Sequence, residues 1–553
     1  MNKPFFYFLT LFAYLNTQAQ FIDSETQSRL KQHINTLASN KLEGRETGTI
    51  GEKLAATYIT KTFTELGLKA DGDSGYYQAF PFFNNYKPAN SRFSVGQKTF
   101  NINDDFYAYP SKLDAQVVGR ITDVGYGLNA PALNYNSFDG LTNLKGTLFL
   151  IQIGHPENGN PHSRFESMSD IQSKLDTAMA YGAIGVIFIC GNESFKKQKP
   201  DYAKRIGKET IPAIIINKDC ARYIKNNLFE KATITTSIKK EMGIGYNLIG
   251  SINNNKPYTV VLTAHYDHLG YGDEGSLHTG KKAIHNGADD NASGVAAILE
   301  LARLLQKSSF KNYNYTFIAF SGEEKGLLGS NYYVKQPGTP LASFNYNINL
   351  DMVGRLSTTN PVLQINGVGT AMEWPAEIEK LTDLKISTTA SGIGPSDQTS
   401  FYLANVPAIH FFSGTHTDYH KPSDDADKIN YQGTISIMQM LGQLIGNLDA
   451  KPKITYTKTN DSTQTGRSRF KVTLGVIPDY AFEGEGMRID GITPSKPAAN
   501  AGLLKGDIVL QIGETTVSDM NSYMKALGQF SKGDITNVTI KRGQETMVKS
   551  ITF

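Results

Sequence analysis

Four apolar runs in the second half of the chain set the main constraint on its fold, because each of them ends in acidic or histidine residues. Helix-like segments separate these runs, and strands that alternate with helices are typical of a doubly wound, mostly parallel α/β sheet. In such a sheet, ligands bind outside the carboxyl ends of the strands, so the polar residues after the runs should converge on one crevice. The four runs are YTVVLTA, YTFIAF, YNINL and VPAIHFF, all within residues 246–449.

The residues that follow these runs are the candidates for chemistry. Taken singly, each has a structural interpretation: Asp290, for example, would be a good helix cap before the apolar face of NASGVAAILELARLL. Together they are harder to explain in this way, since carboxylates gathered at one sheet edge repel one another and are costly to desolvate. Bound cations would remove that conflict. In chain order the candidates are His265, Asp267, Asp289, Asp290, Glu323, Glu324, Asp351, His416 and His420.

The mixture of carboxylates and imidazoles indicates zinc. Two zinc ions about 3.5 to 4 Å apart are suited to the hydrolysis of an amide, and that spacing requires one carboxylate to bridge both ions. The adjacent residues Glu323 and Glu324 can then have different roles, because neighbouring side chains on an extended segment point in different directions. We predict that Glu324 is a ligand and that Glu323 is the general base.

At these positions the chain resembles the exported di-zinc aminopeptidase family, which also includes glutamate carboxypeptidases and glutaminyl cyclases. The resemblance covers LASNKLEGRETGTIGEKLAATYI near the N-terminus and most of residues 246–449. It implies that Asp290 bridges two zinc ions, that the bond from Asp290 to Asn291 is a cis peptide, and that Asp289 binds no metal. The other implied ligands are Glu324 and His420 for one zinc, and His265 and Asp351 for the other.

The same resemblance implies roles for residues beside the ligands. Asp267, two residues after His265, matches a carboxylate that orients a ligand imidazole. Tyr419 matches a tyrosine whose hydroxyl stabilises the oxyanion of a tetrahedral intermediate. Residues 396–401, SDQTSF, match a segment that lies near the substrate, and we assign no chemistry to them.

The choice of the last histidine ligand depends on local context. His416 lies four residues before His420, and the sequence does not show which imidazole reaches the metal. The context YHKPSD favours His420, because it matches the family and a closed ligand set needs only one more imidazole. We interpret three further histidines as loop residues, with lining of the cleft as the alternative. They are His268, His278 and His285.

The resemblance implies an activity and leaves two alternatives. The expected activity is removal of N-terminal residues from peptides, with Glu323 passing a proton from a zinc-activated water to the leaving amine. One alternative is a carboxypeptidase or a glutaminyl cyclase on the same site; a carboxypeptidase needs a cation for the terminal carboxylate, and Arg355 is the candidate. The other is an inactive binding protein, which would have lost ligands, whereas all five ligand positions and the base are present.

The sequence pattern of residues 108–245 differs from that of the flanking regions, and this segment interrupts the predicted peptidase domain. Short β-rich runs, GTLFLIQIG, GVIFIC and IPAIIIN, alternate with a helix-like stretch, IQSKLDTAMAYGA, which predicts a compact α+β unit. The region resembles a protease-associated domain, a module commonly inserted in exported peptidases. The zinc peptidase domain would then be discontinuous and comprise residues 20–107 and 246–450.

The C-terminal part of the chain has a different composition. Residues 451–469 are polar without apolar periodicity and are predicted to be a linker. Residues 470–553 resemble a PDZ domain of the bacterial type, most specifically at AGLLKGD. The resemblance implies that a loop offers backbone N–H groups to a peptide carboxylate; the alternative is an appendage that binds nothing. The loop residues are Leu474, Gly475 and Val476.

The N-terminus carries the pattern of a secretory signal peptide, predicted as residues 1–19. Its apolar run, Phe5 to Leu15, is shorter than the roughly 20 residues that span a bilayer. We therefore expect an exported protein, periplasmic or extracellular, with no transmembrane segment after cleavage. The two cysteines, Cys190 and Cys220, make no disulfide framework and are expected to be buried free thiols. A net charge of +3 without a basic run gives no electrostatic footprint for nucleic acid.

Overall fold

The computed structural model groups the chain into two compact units. The predicted signal peptide and residues 460–469 of the predicted linker lie outside the residues that the structure describes. The first unit comprises the described residues among 1–82, 244–529 and 536–551, and the second those among 83–243, 530–535 and 552–553. The described residues are 22–157, 160, 163–165, 168–190, 194–200, 202, 210–273, 275–459, 472–478, 485–492, 496–518, 520–530 and 533–553.

The first unit contains the predicted mostly parallel sheet. Its central strand, Thr259–His265, pairs in parallel with Asn314–Phe320 on one side and with Phe344–Leu350 on the other. Ala408–Phe412 extends the parallel set. Every residue of the central strand is buried, because helices cover both faces of the sheet. This explains why these strands are continuous apolar runs, and it confirms the predicted α/β fold class.

Antiparallel pairs lie outside the parallel core of this sheet. Val362–Asn366 runs antiparallel to Ala408–Phe412 and is followed by Lys385–Thr389, which is parallel to it. At the other side, the last part of Lys231–Ile252 runs antiparallel to Asn314–Phe320. The polar residues that follow the central strands are therefore at the carboxyl edge of a mixed sheet whose middle is parallel.

Helices form a layer on each face of the sheet. Thr26–Leu37, Gly294–Lys307 and Tyr431–Asp449 pack against one another over one face and form the main core. Leu328–Lys335 and Gln398–Leu403 pack together and contribute to the core on the other face. Two more helices of this unit are Ile50–Glu65 and Glu373–Ile378. No helix among the described residues is both long and apolar enough to cross a membrane.

Residues 451–459, the described part of the predicted linker, are packed onto the first unit. Ile454 is 3% exposed within the main core, and its N–H donates to Asn345 Oδ1 at 2.8 Å. Thr459 donates from both its N–H and its hydroxyl to the hydroxyl of Tyr402. The tract is polar on average, so its composition did not indicate that Ile454 packs into the core. A linker can therefore begin only after Thr459, not after residue 450 as predicted.

The second unit has the predicted α+β composition. Its strands Leu148–Gln152, Gly185–Ile189 and Ala213–Ile216 are parallel neighbours, as the three β-rich runs predicted. The predicted helix is Ile171–Ala180. The other elements of this unit include the strands Arg92–Val95, Lys98–Phe100, Phe106–Tyr109 and Asp114–Asp123 and the helix Lys218–Asn226.

This unit begins earlier than the predicted boundary at residue 108. Phe93 and Phe100 stack in its core, and the strand of Phe93 pairs with residues 232–235. The resemblance to a protease-associated domain stays a prediction. Cys190 and Cys220 are buried free thiols, as predicted.

The C-terminal segment forms a separate six-stranded sheet among the described residues. Its order places Met487–Ile492 between Val476–Pro478 and Ile508–Ile512. The remaining elements are the strands Thr515–Thr516, Ile535–Arg542 and Glu545–Thr552 and the helices Pro497–Asn500 and Met520–Leu527.

Candidate metal centre

One group of ligand atoms forms where two parallel strands end. His265 is the last residue of the central strand, and Asp351 follows the neighbouring strand Phe344–Leu350. The Nε2 atom of His265 lies 3.3 Å from Asp290 Oδ1 and 3.3 Å from Asp351 Oδ1. All three residues are buried, and their ligand atoms lie within 4.8 Å of one another. This is a set of three donors around one point.

A second group of donors uses the other oxygen of Asp290. The Nε2 atom of His420 lies 3.3 Å from Asp290 Oδ2 and 3.3 Å from Glu324 Oε2. Asp290 thus presents Oδ1 to the first group and Oδ2 to the second. A carboxylate in this position suits the predicted bridging role. The structure brings all five predicted ligands together, and their ligand roles stay a prediction.

His268, predicted to be a loop residue with lining of the cleft as the alternative, also belongs to the second group. Its Nδ1 atom lies 2.7 Å from Glu324 Oε1 and 3.8 Å from Asp290 Oδ2. Its Nε2 atom is buried without a hydrogen-bond partner among the described residues. The ring meets that of His420 edge to face at 5.9 Å. The only signal in the sequence was its position, three residues after His265 and directly beyond the strand.

The remaining loop histidines do not join these groups. His285 bonds through Nε2 to the hydroxyl of Ser276 at 2.7 Å and through Nδ1 to the carbonyl of Ala283 at 3.0 Å. His278 is exposed and meets the His285 ring edge to face. Both lie in the connecting loop, as predicted.

The adjacent glutamates have opposite electrostatic environments. Burial raises the pKa of Glu323 well above its usual value; His265 opposes this, and the charges of Glu324 and Asp351 reinforce it. Burial would also raise the pKa of Glu324, but His420 and His268 lower it to about 2. The carboxyl group of Glu324 therefore favours the anionic form, which is the form that binds a metal. The carboxyl group of Glu323 favours the protonated form.

The residues on either side of Asp290 fix its backbone. Asp289 Oδ1 accepts from the N–H of Gly354 at 2.6 Å. Asn291 Oδ1 accepts from the N–H of Met352 at 3.2 Å. Both bonds tie the Asp290 segment to the residues that follow Asp351 in the chain. The peptide bond between Asp290 and Asn291 is cis, as predicted.

Asp267 lies beside His265 with both its main chain and its side chain. The closer partner of His265 Nδ1 is the main-chain oxygen of Asp267, at 3.1 Å, whereas the carboxylate is 3.7 Å away. The carboxylate accepts from the Thr47 hydroxyl at 2.9 Å and from the N–H of Glu323 at 3.2 Å. The carboxylate of Asp267 therefore holds the backbone of the predicted base, and its role in orienting the imidazole stays a prediction.

The loop after the last parallel strand separates its two histidines. His416 lies 3.2 Å from Asp289, whereas His420 faces Asp290 and Glu324. The ring of Tyr419 is half-buried and stacks on the ring of His420 at 3.8 Å.

Arg355 already has a carboxylate partner. Its guanidinium donates to Asp418 Oδ2 from both terminal nitrogens, at 3.3 Å each. A carboxypeptidase would need this cation to bind the terminal carboxylate of its substrate, but Arg355 is already paired within the protein.

Asp397 is a buried carboxyl group that the sequence analysis left without chemistry. Neither of its oxygens has a hydrogen-bond partner in the part of the chain that the structure describes. Burial raises its pKa to about 7. The charge of His265 opposes this rise, and the charge of Asp351 reinforces it. The preceding residue, Ser396, accepts from Asn349 Nδ2 at 2.8 Å, on the strand that ends beside Asp351. Asp397 is thus held close to the metal centre by its main chain, whose oxygen accepts from the N–H of Ser400 at 3.1 Å.

A buried arginine contributes positive charge near the centre. Arg45, in the N-terminal motif LEGRETG, is 1% exposed, and burial lowers its pKa to about 10. It donates only to main-chain carbonyls among the described residues, including those of Tyr266 at 2.8 Å and Gly287 at 3.0 Å. Arg45 therefore joins the segments that carry His265 and Asp290.

The predicted peptide-binding loop lies at the start of the C-terminal sheet. Leu474 is fully buried, and its carbonyl accepts from the N–H of Ala498 at 2.8 Å. The N–H of Gly475, whose φ is +72°, donates to the Thr473 hydroxyl at 3.0 Å. Val476 begins the first strand. The Gly475 donor would have to leave Thr473 to meet a peptide carboxylate.

The donor set fits zinc. Imidazole nitrogens and carboxylate oxygens in a buried pocket are the ligands that zinc takes in proteins, and Nδ1 of His268 adds a donor to the second group. Comparison with known sequences identifies a family: residues 247–445 match the profile of peptidase family M28. These residues form an M28 peptidase domain. Residues 460–552 match the PDZ domain profile, so both resemblances are confirmed.

Several relatives of the M28 domain are aminopeptidases by name. Aminopeptidase YwaD of Bacillus subtilis is 29% identical over 285 residues, which cover 49% of this chain and 58% of that protein. An aminopeptidase of Pseudomonas aeruginosa is 26% identical over 364 residues, 63% of this chain and 62% of that protein. The match thus spans less than two thirds of each relative. The solved structure of a zinc aminopeptidase from Bacillus subtilis aligns with 78% of this chain and 98% of its own, at 23% identity and a TM-score of 0.43.

The zinc content of purified variants tests the ligand assignment. We expect Asp290→Ala to lose most of its zinc, because both donor groups use this side chain, and His420→Ala to lose about half. His416→Ala is the matched control, since His416 faces Asp289, and it should keep the wild-type zinc content. Elemental analysis after gel filtration measures the ratio. Loss of zinc from His416→Ala with retention in His420→Ala would reverse the assignment.

Proposed function

We propose that this protein is an exported zinc-dependent aminopeptidase that removes N-terminal residues from peptides. The observation that carries the proposal is the position of Asp290, which offers one oxygen to each of two donor groups beside Glu323. This arrangement supports a pair of zinc ions. The names of the relatives support the aminopeptidase activity.

The proposed mechanism assigns a proton transfer to Glu323. Zinc at such a site polarises a carbonyl group and lowers the pKa of a water molecule. Glu323 would accept the proton of the attacking water and deliver it to the leaving amine. Its backbone is fixed by Asp267, so the carboxyl group starts from a defined position. Tyr419, stacked on His420, is placed beside the same groups, and its hydroxyl is the proposed oxyanion donor.

The free N-terminus of a substrate needs a carboxylate that is not already used. Of the carboxyl groups beside the predicted ligands, Asp267 and Asp289 are occupied by hydrogen bonds within the protein. Asp397 is buried, and both of its oxygens lack partners among the described residues. An ammonium group has three N–H donors and would satisfy it. We therefore assign the ammonium contact of the substrate to Asp397.

The alternatives receive less support. A carboxypeptidase requires a free cation, and Arg355 is paired with Asp418. A glutaminyl cyclase would use the same metal centre but would cyclise an N-terminal Gln or Glu instead of hydrolysing a peptide bond. An inactive binding protein would have lost ligands, whereas both donor groups are complete.

Two further parts of the proposal concern partners and location. The PDZ domain would bind the free carboxylate of a longer peptide near Gly475, and so raise the local concentration of substrate. Export, to the periplasm or the medium, is proposed from the signal peptide pattern. Mass spectrometry of the mature N-terminus decides the latter, since an intact Met1 in fractionated protein would contradict export.

The first prediction concerns which end of the substrate must be free. One peptide is offered in free, N-acetylated and C-amidated forms. An aminopeptidase should fail to hydrolyse the N-acetylated peptide and should still hydrolyse the C-amidated one. A cyclase should accept only peptides with N-terminal Gln or Glu. Hydrolysis of the acetylated peptide at the rate of the free one would end the proposal.

Asp397→Asn refines the same assay. Loss of a charged hydrogen bond, worth about 1.5 to 3 kcal/mol, should lower kcat/KM on the free peptide roughly 10- to 100-fold. The exposed Asp383→Asn is the matched control and should behave as wild type. If the free peptide is preferred but Asp397→Asn is unchanged, only the assignment of Asp397 is wrong.

The second prediction separates the two glutamates. Glu323→Gln should keep its zinc and lower kcat about 100- to 10,000-fold, the usual contribution of a general base. Glu324→Gln should lose zinc affinity as well, so that added zinc restores part of its activity. Zinc content and kcat are measured on the same samples. Full activity in Glu323→Gln would remove the proposed base.

The third prediction tests the PDZ domain by truncation after Thr459. This cut keeps Ile454 in the core, so turnover of a small amino-acid amide should be unchanged. The ratio of kcat/KM on long peptides to that on the amide should fall if the PDZ domain recruits peptides. Truncation after Asp449 is the comparison and should destabilise the protein, since it removes Ile454. An unchanged ratio would leave the PDZ domain without a role in substrate capture.

A further inference from the structure

One residue outside both donor groups holds the segment that carries Asp290. Asp424 is fully buried, and its Oδ2 atom accepts the N–H groups of Asp289 and Asp290, each at 3.0 Å. Its main-chain oxygen accepts the N–H of Ala288, also at 3.0 Å. Three consecutive N–H groups are therefore bound by a single residue.

The position of Asp424 in the chain links the two sides of the centre. It lies four residues after His420. Its own N–H donates to the main-chain oxygen of Lys421 at 3.1 Å, which closes a turn over residues 421–424. The His420 loop and the Asp290 segment are distant in sequence, so the bonds of Asp424 are a direct tie between them. Hydrogen bonds from N–H groups to a carboxylate are about twice as strong as neutral ones, which suits a rigid tie.

We propose that Asp424 is a positioning residue that sets the distance between Asp290 and His420 before a metal binds. The inference rests on the proposed metal centre but assigns Asp424 no contact with metal or substrate. Its reason is geometric: the bridging oxygens of Asp290 must face both donor groups at once, and a small shift of residues 288–290 would misplace them. A purely structural carboxylate would fix the loop without affecting metal affinity.

The test compares Asp424→Ala and Asp424→Asn with the nearby variant Asp427→Ala. Asp427 is a suitable control, because it carries the same charge and is exposed. Zinc affinity is measured by competition with a chelator. Hydrogen exchange of the peptide covering residues 286–293 is measured in the metal-free full chain, which gives a readout that needs neither zinc nor activity.

We expect Asp424→Ala to bind zinc about 10- to 100-fold more weakly, the usual effect of losing a partner that orients ligands. The amides of residues 288–290 should exchange faster in the metal-free protein. Asp424→Asn keeps one acceptor oxygen and should lose less affinity, and it serves as the test if Asp424→Ala does not fold. Asp427→Ala should match wild type in both measurements.

Two outcomes separate this inference from the proposed function. If wild type binds zinc and the folded Asp424 variants bind it equally well, the positioning role is overturned. If wild type itself binds no zinc, the metal centre fails, and a positioning role for Asp424 toward it fails with it. Faster exchange of residues 288–290 with unchanged zinc affinity would reduce Asp424 to a structural residue and so also overturn the proposal.

Discussion

The structure of the M28 domain depends on the compensation of carboxyl groups that are buried together at one edge of its sheet. Burial of unpaired carboxylates is costly, and the positive charge beside them in the described residues includes Arg45 and shared imidazoles. The donors of Arg45 are used on carbonyls, so it acts on the carboxylates through space. Zinc bound at the centre would complete the balance. The carboxyl groups concerned are Asp267, Asp289, Asp290, Glu323, Glu324, Asp351, Asp397 and Asp424.

Adjacent residues at this edge divide two tasks between them. Asp290 points at the donor groups, while Asp289 and Asn291 bind the backbone that follows Asp351. Glu324 likewise faces His420, while the N–H of Glu323 is fixed by Asp267. A ligand that must be placed to within fractions of an ångström needs such neighbours, because the loops after strands are otherwise free to move. The paired acidic residues in the sequence follow from this division.

The sequence predicted those parts of the site that topology determines. Parallel strands bring their carboxyl ends together, so residues that end a strand or directly follow it, such as His265 and Asp351, could be placed from the pattern alone. Residues positioned by loop conformation could not. His268 and Asp424 reach the centre through turns that no periodicity encodes, and Ile454 packs from a tract whose average composition is polar. The boundary of the second unit at residue 83 was missed because strand pairing, not composition, defines it.

Two of the residues with unsatisfied buried groups lie beside the centre, and their position bears on function. Asp397 has two unpartnered oxygens, and His410, on the strand beside that of Asp351, has two unpartnered ring nitrogens among the described residues. Burial of such groups lowers the stability of a fold, so their concentration at one edge would be unfavourable in a purely structural protein. Beside a metal centre, the same groups can be satisfied by a substrate that brings donors of its own. Under the proposed aminopeptidase function, an ammonium group would satisfy Asp397 where a peptide carboxylate would be repelled, so this carboxyl group would favour the amino end of a peptide over its carboxyl end.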